Sequence, residues 1–263
     1  MDLGLKGRKA FVTGASRGIG QAIAEALAAE GVSLALFGRD RKRCEALARK
    51  LGKAHPEIEA FDIALDLLKP ATIRASVTRA IKKLGGLDIL VNCAGGAPRG
   101  HLEDIPDKKW DEGFTIKPIG LMRMTRECLP YLRKSKQGRI INIAGTRGRE
   151  PAPLSMMSGP INLGTLSATK ALANALGPDG ITVNAVNPGT TDTGRFTELV
   201  NMTAKDRKIS KAEATKMLLR EVPMGCVIMP EDIADVTVFL ASARAGKLTG
   251  VAINVDGGRT RSI

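Results

Sequence analysis

Three glycines in VTGASRGIGQAIAEAL (12–27), Gly14, Gly18 and Gly20, stand directly after a strand-like run and at the opening of a helix-like one. Glycines so placed can hold a diphosphate. One makes the tight turn, one lets the backbone approach the anion and one lets the helix pack on the sheet, while the helix N-terminus favours negative charge. The spacing is GxxxGxG rather than GxGxxG, so the trio takes its meaning from strand, turn and helix in register, with Ser16, Arg17 and Ile19 completing the loop. The second strand-like run, SLALFG (33–38), ends in Gly38, followed by Arg39. Recognition of an unphosphorylated ribose would need a carboxylate there. Its absence, together with the guanidinium groups of Arg17 and Arg39, suits a ribose 2′-phosphate, which accepts charge-assisted bonds from a bidentate fork. The expected cofactor is NADP(H).

Other reactive side chains are sparse. His101, in APRGHLEDI (97–105), titrates near neutral pH and follows a turn expected to line the cleft, whereas His55 before Pro56 reads as a surface turn. Arg147 and Arg149, in GTRGRE (145–150), could bind a substrate carboxylate or phosphate, or belong to a solvated loop. The four cysteines, Cys44, Cys93, Cys128 and Cys226, lack CxxC or Cys/His spacing. Neither a disulfide framework nor a metal site is expected; they read as small buried apolar residues.

These groups need a scaffold, and the chain supplies its rhythm. Short β-type runs alternate with longer helical ones from KAFVTG (9–14) to VAINVDGG (251–258), which predicts βαβ units: an α/β class, single Rossmann-like doubly wound parallel sheet with helices on both faces. LDILVN (87–92), GRIINIAG (138–145) and ITVNAVNPG (181–189) are nearly continuous in apolar and β-branched residues, as expected of central strands. At 263 residues the chain is expected to form one domain. Residues 195–222 interrupt the rhythm with a charged, helix-prone insertion just after the NPG strand end, where a substrate lid would lie.

Composition narrows the partners. The net charge of +13 is dispersed over clusters such as RDRKR (39–43) and RKSK (133–136), and aromatics are only 3%, so nucleic-acid binding is not expected and the charge suits solvated faces and an anionic cofactor. No apolar run approaches the ~18 residues of a membrane span, and a small-molecule substrate in the cytoplasm is the expectation.

TGASRGIG (13–20), NCAG (92–95), NPGTTDTG (187–194) and VDGG (255–258), in this order, resemble the short-chain dehydrogenase/reductase family from about Leu5 to Gly258. The resemblance implies that Asp66 contacts the adenine, that Asn92, Ala94 and Gly95 shape the floor under the ribose and pyrophosphate, and that Pro188, Gly189 and Thr191 or Thr193 border the nicotinamide. It also implies a homotetramer or homodimer built through long helices around 105–134 and 158–177.

In that family, carbonyl reduction uses a Tyr proton donor, a Lys four residues later, a Ser that polarises the carbonyl and an Asn on a preceding helix. Aligning LSATK (166–170) with the Tyr–Lys pair keeps Lys170 but leaves too little chain before Asn184, a deletion of about two helical turns. The gap-free register instead sets Ser158 at the Tyr position and Asn162 at the Lys position, in SMMSGPIN (155–162), with Gly145 for the Ser and Lys117 for the Asn. All four positions are then altered, and Tyr131, the only tyrosine, ends a helix remote from the nicotinamide. A Ser hydroxyl is far less acidic than a phenol, so Ser158 is a poor proton donor, though it can hydrogen-bond a carbonyl. An ammonium in a semi-enclosed cleft is open to a depressed pKa, so Lys117 could act as general acid or base with Ser158 and Asn162 orienting the substrate and ribose; alternatively it fills the space beside the shorter Asn162 and bonds the ribose. The expected function is an NADP(H)-dependent oxidoreductase interconverting carbonyl and alcohol at a non-standard site. The alternatives are a catalytically silent NADP(H)-binding protein, or an isomerase or lyase in which Lys117 or His101 abstracts a proton.

Overall fold

The structure is a computed structural model and describes residues 1–98 and 100–262. Seven strands, β1 (Lys9–Thr13), β2 (Ser33–Gly38), β3 (Ala60–Ala64), β4 (Ile89–Asn92), β5 (Arg139–Ile143), β6 (Thr182–Pro188) and β7 (Ala252–Val255), form one sheet in the order β3-β2-β1-β4-β5-β6-β7. Every neighbouring pair is parallel. The three strands expected to be central, β4, β5 and β6, lie side by side in the interior of the sheet.

Strand residues alternate between two cores, as the two-residue side-chain period requires. Ala10, Val12, Leu34, Leu36, Ile89, Val91, Ile141 and Ile143 face one core, which α1 (Gly18–Ala29), α2 (Arg41–Ala54) and α9 (Pro230–Ala241) cover. Phe11, Ala35, Phe37, Leu90, Ile140 and Val183 face the other, under α3 (Pro70–Leu84), α5 (Gly120–Leu132) and α6 (Ser158–Leu176). Burial on both faces explains why these strands read as continuous apolar runs. The fold is thus a Rossmann-like doubly wound sheet.

Local signals set several helix ends. The Asp40 carboxylate accepts from Arg43 N to cap α2, and Pro70 opens α3, which closes on left-handed Gly85. Helix α4 (Asp107–Phe114) runs into α5 through a π-helical turn, Thr115–Ile119, that contains Pro118. The proline has no N–H for the helical ladder, and the widened turn carries Lys117 at its middle. The charged insertion forms α7 (Gly194–Arg207) and α8 (Lys211–Leu219), the latter with a Ser210/Glu213 capping box.

The strand order reverses between β1 and β4, where the chain leaves in opposite directions from neighbouring strands. The carboxyl ends of these strands open on a cavity of about 1510 Å³.

Candidate active site

The glycine turn forms one wall of the cavity. Gly14 and Gly18 adopt φ of 71° and 56°, in the left-handed region that suits glycine. A side chain at Gly14 would stand 2.9 Å from the Ala94 Cα, and one at Gly20 would strike the Gly14 carbonyl oxygen. The turn is therefore closed against both the end of β4 and its own helix, and Gly14, Gly18 and Gly20 line the cavity without side chains of their own. Thr13 Oγ1 fixes the opposite rim by accepting from Cys93 N and Ala94 N, both at 3.0 Å. Such a cradle could hold a diphosphate.

At the mouth, Gly38, Arg39 and Arg17 line the cavity, and Arg43 on the first turn of α2 joins them. Gly38 packs so closely on Cys44 that a side chain there would meet its sulfur at 2.7 Å. Arg17 and Arg39 are exposed, so their charge costs little in desolvation and is available to an anion. Asp66 lies on the same wall, and one of its carboxylate oxygens accepts from Leu68 N at 3.1 Å. Asn92 lies beneath the floor, buried, with its amide donating to Asn142 Oδ1 at 2.9 Å.

Deeper in, Lys117 Nζ donates to Ala144 O at 2.7 Å and to Asn162 Oδ1 at 2.6 Å. These acceptors belong to the end of β5 and the first turns of α6, so the amine ties together three elements distant in sequence. Enclosure of the charge, with Arg195 nearby as a second cause, pushes the ammonium down to about 7 from its ordinary 10.5, while Cys93 acts in the opposite sense. The lysine stem crosses Gly95, where a side chain would crowd Lys117 Cβ and Cγ at 3.1 Å. A side chain at Gly145 would stand 2.8 Å from the Asn162 amide nitrogen, so glycine at 145 makes room for asparagine at 162. Ser158, the first residue of α6, lines the same cavity. Leu166 and Lys170 lie further along α6 and outside the cavity lining, with the Lys170 ammonium against Gly250.

Past β6, Pro188, Gly189, Thr191 and Thr193 border the cavity opposite the glycine turn, with Thr193 Cγ2 close over Gly18. A family model described as enoyl-(acyl carrier protein) reductase matches residues 14–260. The NADPH-dependent reductase BacG of Bacillus subtilis (strain 168) is 34% identical over 262 residues, covering 97% of this chain and 99% of BacG. The short-chain reductase protein NovJ of Streptomyces niveus is 35% identical over 255 residues, covering 95% and 93%. Among solved structures, L-sorbose reductase from Gluconobacter frateurii complexed with NADPH and L-sorbose is similar with a TM-score of 0.93 at 30% identity, over 100% of both chains. The chain belongs to the short-chain dehydrogenase/reductase family.

Within this short-chain dehydrogenase/reductase fold the remaining candidates separate. His101 lines the cavity but is exposed, its Nε2 4.0 Å from Asp206 Oδ1 on α7. Arg147 lines the cavity and Arg149 does not. Tyr131 packs against the core under α3 and α5, away from the cavity. The expectation of four buried cysteines needs correction: Cys44 and Cys128 are buried, Cys93 is half-buried at the cavity wall, and Cys226 is exposed. Cys226 follows Gly225 in the left-handed turn after α8, where no strand or helix face draws it inward. Arg195 was not singled out by the sequence. Its guanidinium covers Gly96, where any side chain would collide with it. Only an arginine in the first turn of a helix following NPGTTDTG hints at it, and that pattern does not specify where the side chain lands.

Proposed function

We propose that the protein is an NADP(H)-dependent oxidoreductase interconverting a carbonyl and an alcohol, with Lys117 as its proton-transferring group in place of the usual tyrosine and Asn162 and Ser158 as its supports. The observation that carries this reading is the pair of bonds from Lys117 Nζ to Ala144 O and Asn162 Oδ1, made in the same cavity as the glycine turn. The residues at the mouth fit a phosphorylated ribose: glycine stands where a carboxylate would repel it, and Arg17, Arg39 and Arg43 surround the position. When bound, NADP(H) supplies or accepts the hydride.

The chain's own groups supply the rest. A neutral lysine amine has two N–H bonds and one lone pair, and both N–H bonds are committed to Ala144 O and Asn162 Oδ1. Tetrahedral nitrogen then points the lone pair away from both acceptors, and in the ammonium that same direction carries the third proton. One direction thus serves as base in alcohol oxidation and as acid in carbonyl reduction. A pKa lowered to about 7 keeps both forms populated near neutrality. Ser158 contributes a hydroxyl that can hydrogen-bond the substrate oxygen, and Asn162 holds the amine in place.

The α7–α8 hairpin, whose Arg195, Phe196, Leu199 and Leu218 line the cavity, acts in this reading as the lid of a one-domain enzyme. Exposed Ile119 just before α5, Met122 on α5 and Leu163 on α6 support a homo-oligomer built through those helices. The test has two arms. NADPH fluorescence should show saturable binding, far tighter than NADH. A carbonyl library followed at the nicotinamide absorbance should then reveal turnover that Lys117→Met lowers by about a hundredfold or more, the usual contribution of a positioned acid–base group. Binding without turnover of any carbonyl or alcohol would defeat the oxidoreductase reading, and unchanged turnover in Lys117→Met would defeat the role of the lysine.

A further inference from the structure

The substrate end of the cavity holds an arrangement that proton transfer does not use. Arg147 sits between Gly145 and Gly148, and a side chain at either glycine would strike Asn162, so the loop carrying Arg147 is pressed onto the first turns of α6 beside the lysine amine. The Arg147 guanidinium is half-buried and makes one long bond, Nη1 to Glu150 O at 3.4 Å. Arg259 faces the same cavity from the other end of the chain, with its side chain only 13% exposed.

Arg259 is placed there by an anchored tail. Asp256 accepts from Gly258 N at 3.0 Å and Thr260 N at 2.9 Å, and Glu150 Oε1 accepts from Ser262 N at 3.0 Å and from Arg261 N. The Glu150 side chain is thereby engaged with backbone amides, and the carboxylates acting on Arg147 are Glu221 and Glu150. Arg259 Nη2 donates to Glu221 Oε2. Burial first, and then Arg259, hold the Arg147 guanidinium below its ordinary range, whereas the bond from Arg259 holds Glu221 below the usual carboxylate range. Glu221 is 62% exposed in its side chain and lies at the end of the α7–α8 hairpin, so it can leave without disturbing the core.

We propose that the substrate carries a carboxylate, and that Arg147 and Arg259 form the fork that binds it in exchange for the resident Glu221. This rests on the oxidoreductase reading above and narrows it to oxo acids and hydroxy acids. Arg259 spends one guanidinium nitrogen on exposed Glu221 and Arg147 spends one on Glu150 O, so both keep donors free for a carboxylate, whose geometry the planar fork matches. Both arginines line the same cavity as Lys117, so a molecule whose carboxylate they hold lies in the space that the amine also faces.

The experiment titrates the NADPH-loaded protein with 2-oxobutanoate and with butan-2-one at fixed ionic strength, by calorimetry. The oxo acid is expected to bind at least about tenfold more tightly than the ketone, and Arg147→Met and Arg259→Met are each expected to weaken it by about ten- to a hundredfold. Arg259→Lys, which keeps the charge and loses the fork, should fall between wild type and Arg259→Met, and Glu221→Gln should bind the oxo acid more tightly than wild type. NADPH affinity, read by fluorescence, should not change in these variants, because none of them lines the glycine turn. Equal affinity for acid and ketone, or oxo-acid affinity indifferent to both arginines, overturns the proposal. Failure of NADPH itself to bind would instead overturn the oxidoreductase reading, and the same titration on cofactor-free protein would still decide the fork.

Discussion

Replacing Lys117 by methionine should change how stability depends on pH, and the sign and size follow from the enclosure of the amine. In the unfolded chain the amine keeps its proton up to its ordinary 10.5, whereas in the folded protein it releases it near 7. Between those values the unfolded state binds more protons, so wild-type stability rises with pH across this window; below it both states are protonated and the cost of enclosing the charge is borne in full. At about 1.4 kcal/mol per pH unit, wild type should gain roughly 2 kcal/mol relative to Lys117→Met between pH 7 and pH 9, because the thioether carries no charge. For a protein of this size that corresponds to roughly 4–8 °C in melting temperature. Every other titrating group is common to both proteins and cancels in the difference. The measurement is a pair of urea unfolding curves for each protein at the two pH values, repeated as thermal melts. If the wild-type and Lys117→Met curves move in parallel from pH 7 to pH 9, the amine is not enclosed and the argument for a neutral lysine at physiological pH fails.

Arg195→Leu removes the second cause of the lysine's depressed pKa, so the acid limb of the kcat/KM profile should move to higher pH; an unmoved limb would show that Arg195 does not reach the amine electrostatically. Arg39→Ala should weaken NADPH by about ten- to a hundredfold with little effect on NADH, measured by fluorescence titration, as expected for loss of a charge-assisted pair with the 2′-phosphate. Gly20→Ala should abolish cofactor binding and lower the melting temperature, since the added carbon strikes the Gly14 carbonyl. Gly145→Ser should displace the Asn162 amide, break its bond to Lys117 and reduce turnover, and adding Gly145→Ser to Asn162→Ala should cost little more than Asn162→Ala alone, because the bond is already lost.

The layout of the sheet was readable from the chain because each strand buried on both faces must be apolar along its whole length, and LDILVN, GRIINIAG and ITVNAVNPG declare this locally. The glycine turn was equally readable, since Gly14, Gly18 and Gly20 meet constraints set within a few residues of themselves. Cys226 escaped such reasoning because its exposure depends on a turn that leads away from the sheet.

Sequence alone determined the two-sided parallel sheet, the diphosphate-shaped turn and the family to which the chain belongs, all consequences of short-range patterns or of motif order. Only the tertiary structure decided which side chains meet in the cavity. Lys117 meets Asn162 across 45 positions and Arg261 N meets Glu150 across 111, and nothing local to either segment encodes the approach. Those encounters are fixed by packing, because a π-helical turn aims the lysine inward, glycine at 145 clears space for the amide at 162, and hydrogen bonds of the tail to Asp256 and Glu150 bring Arg259 to the cavity.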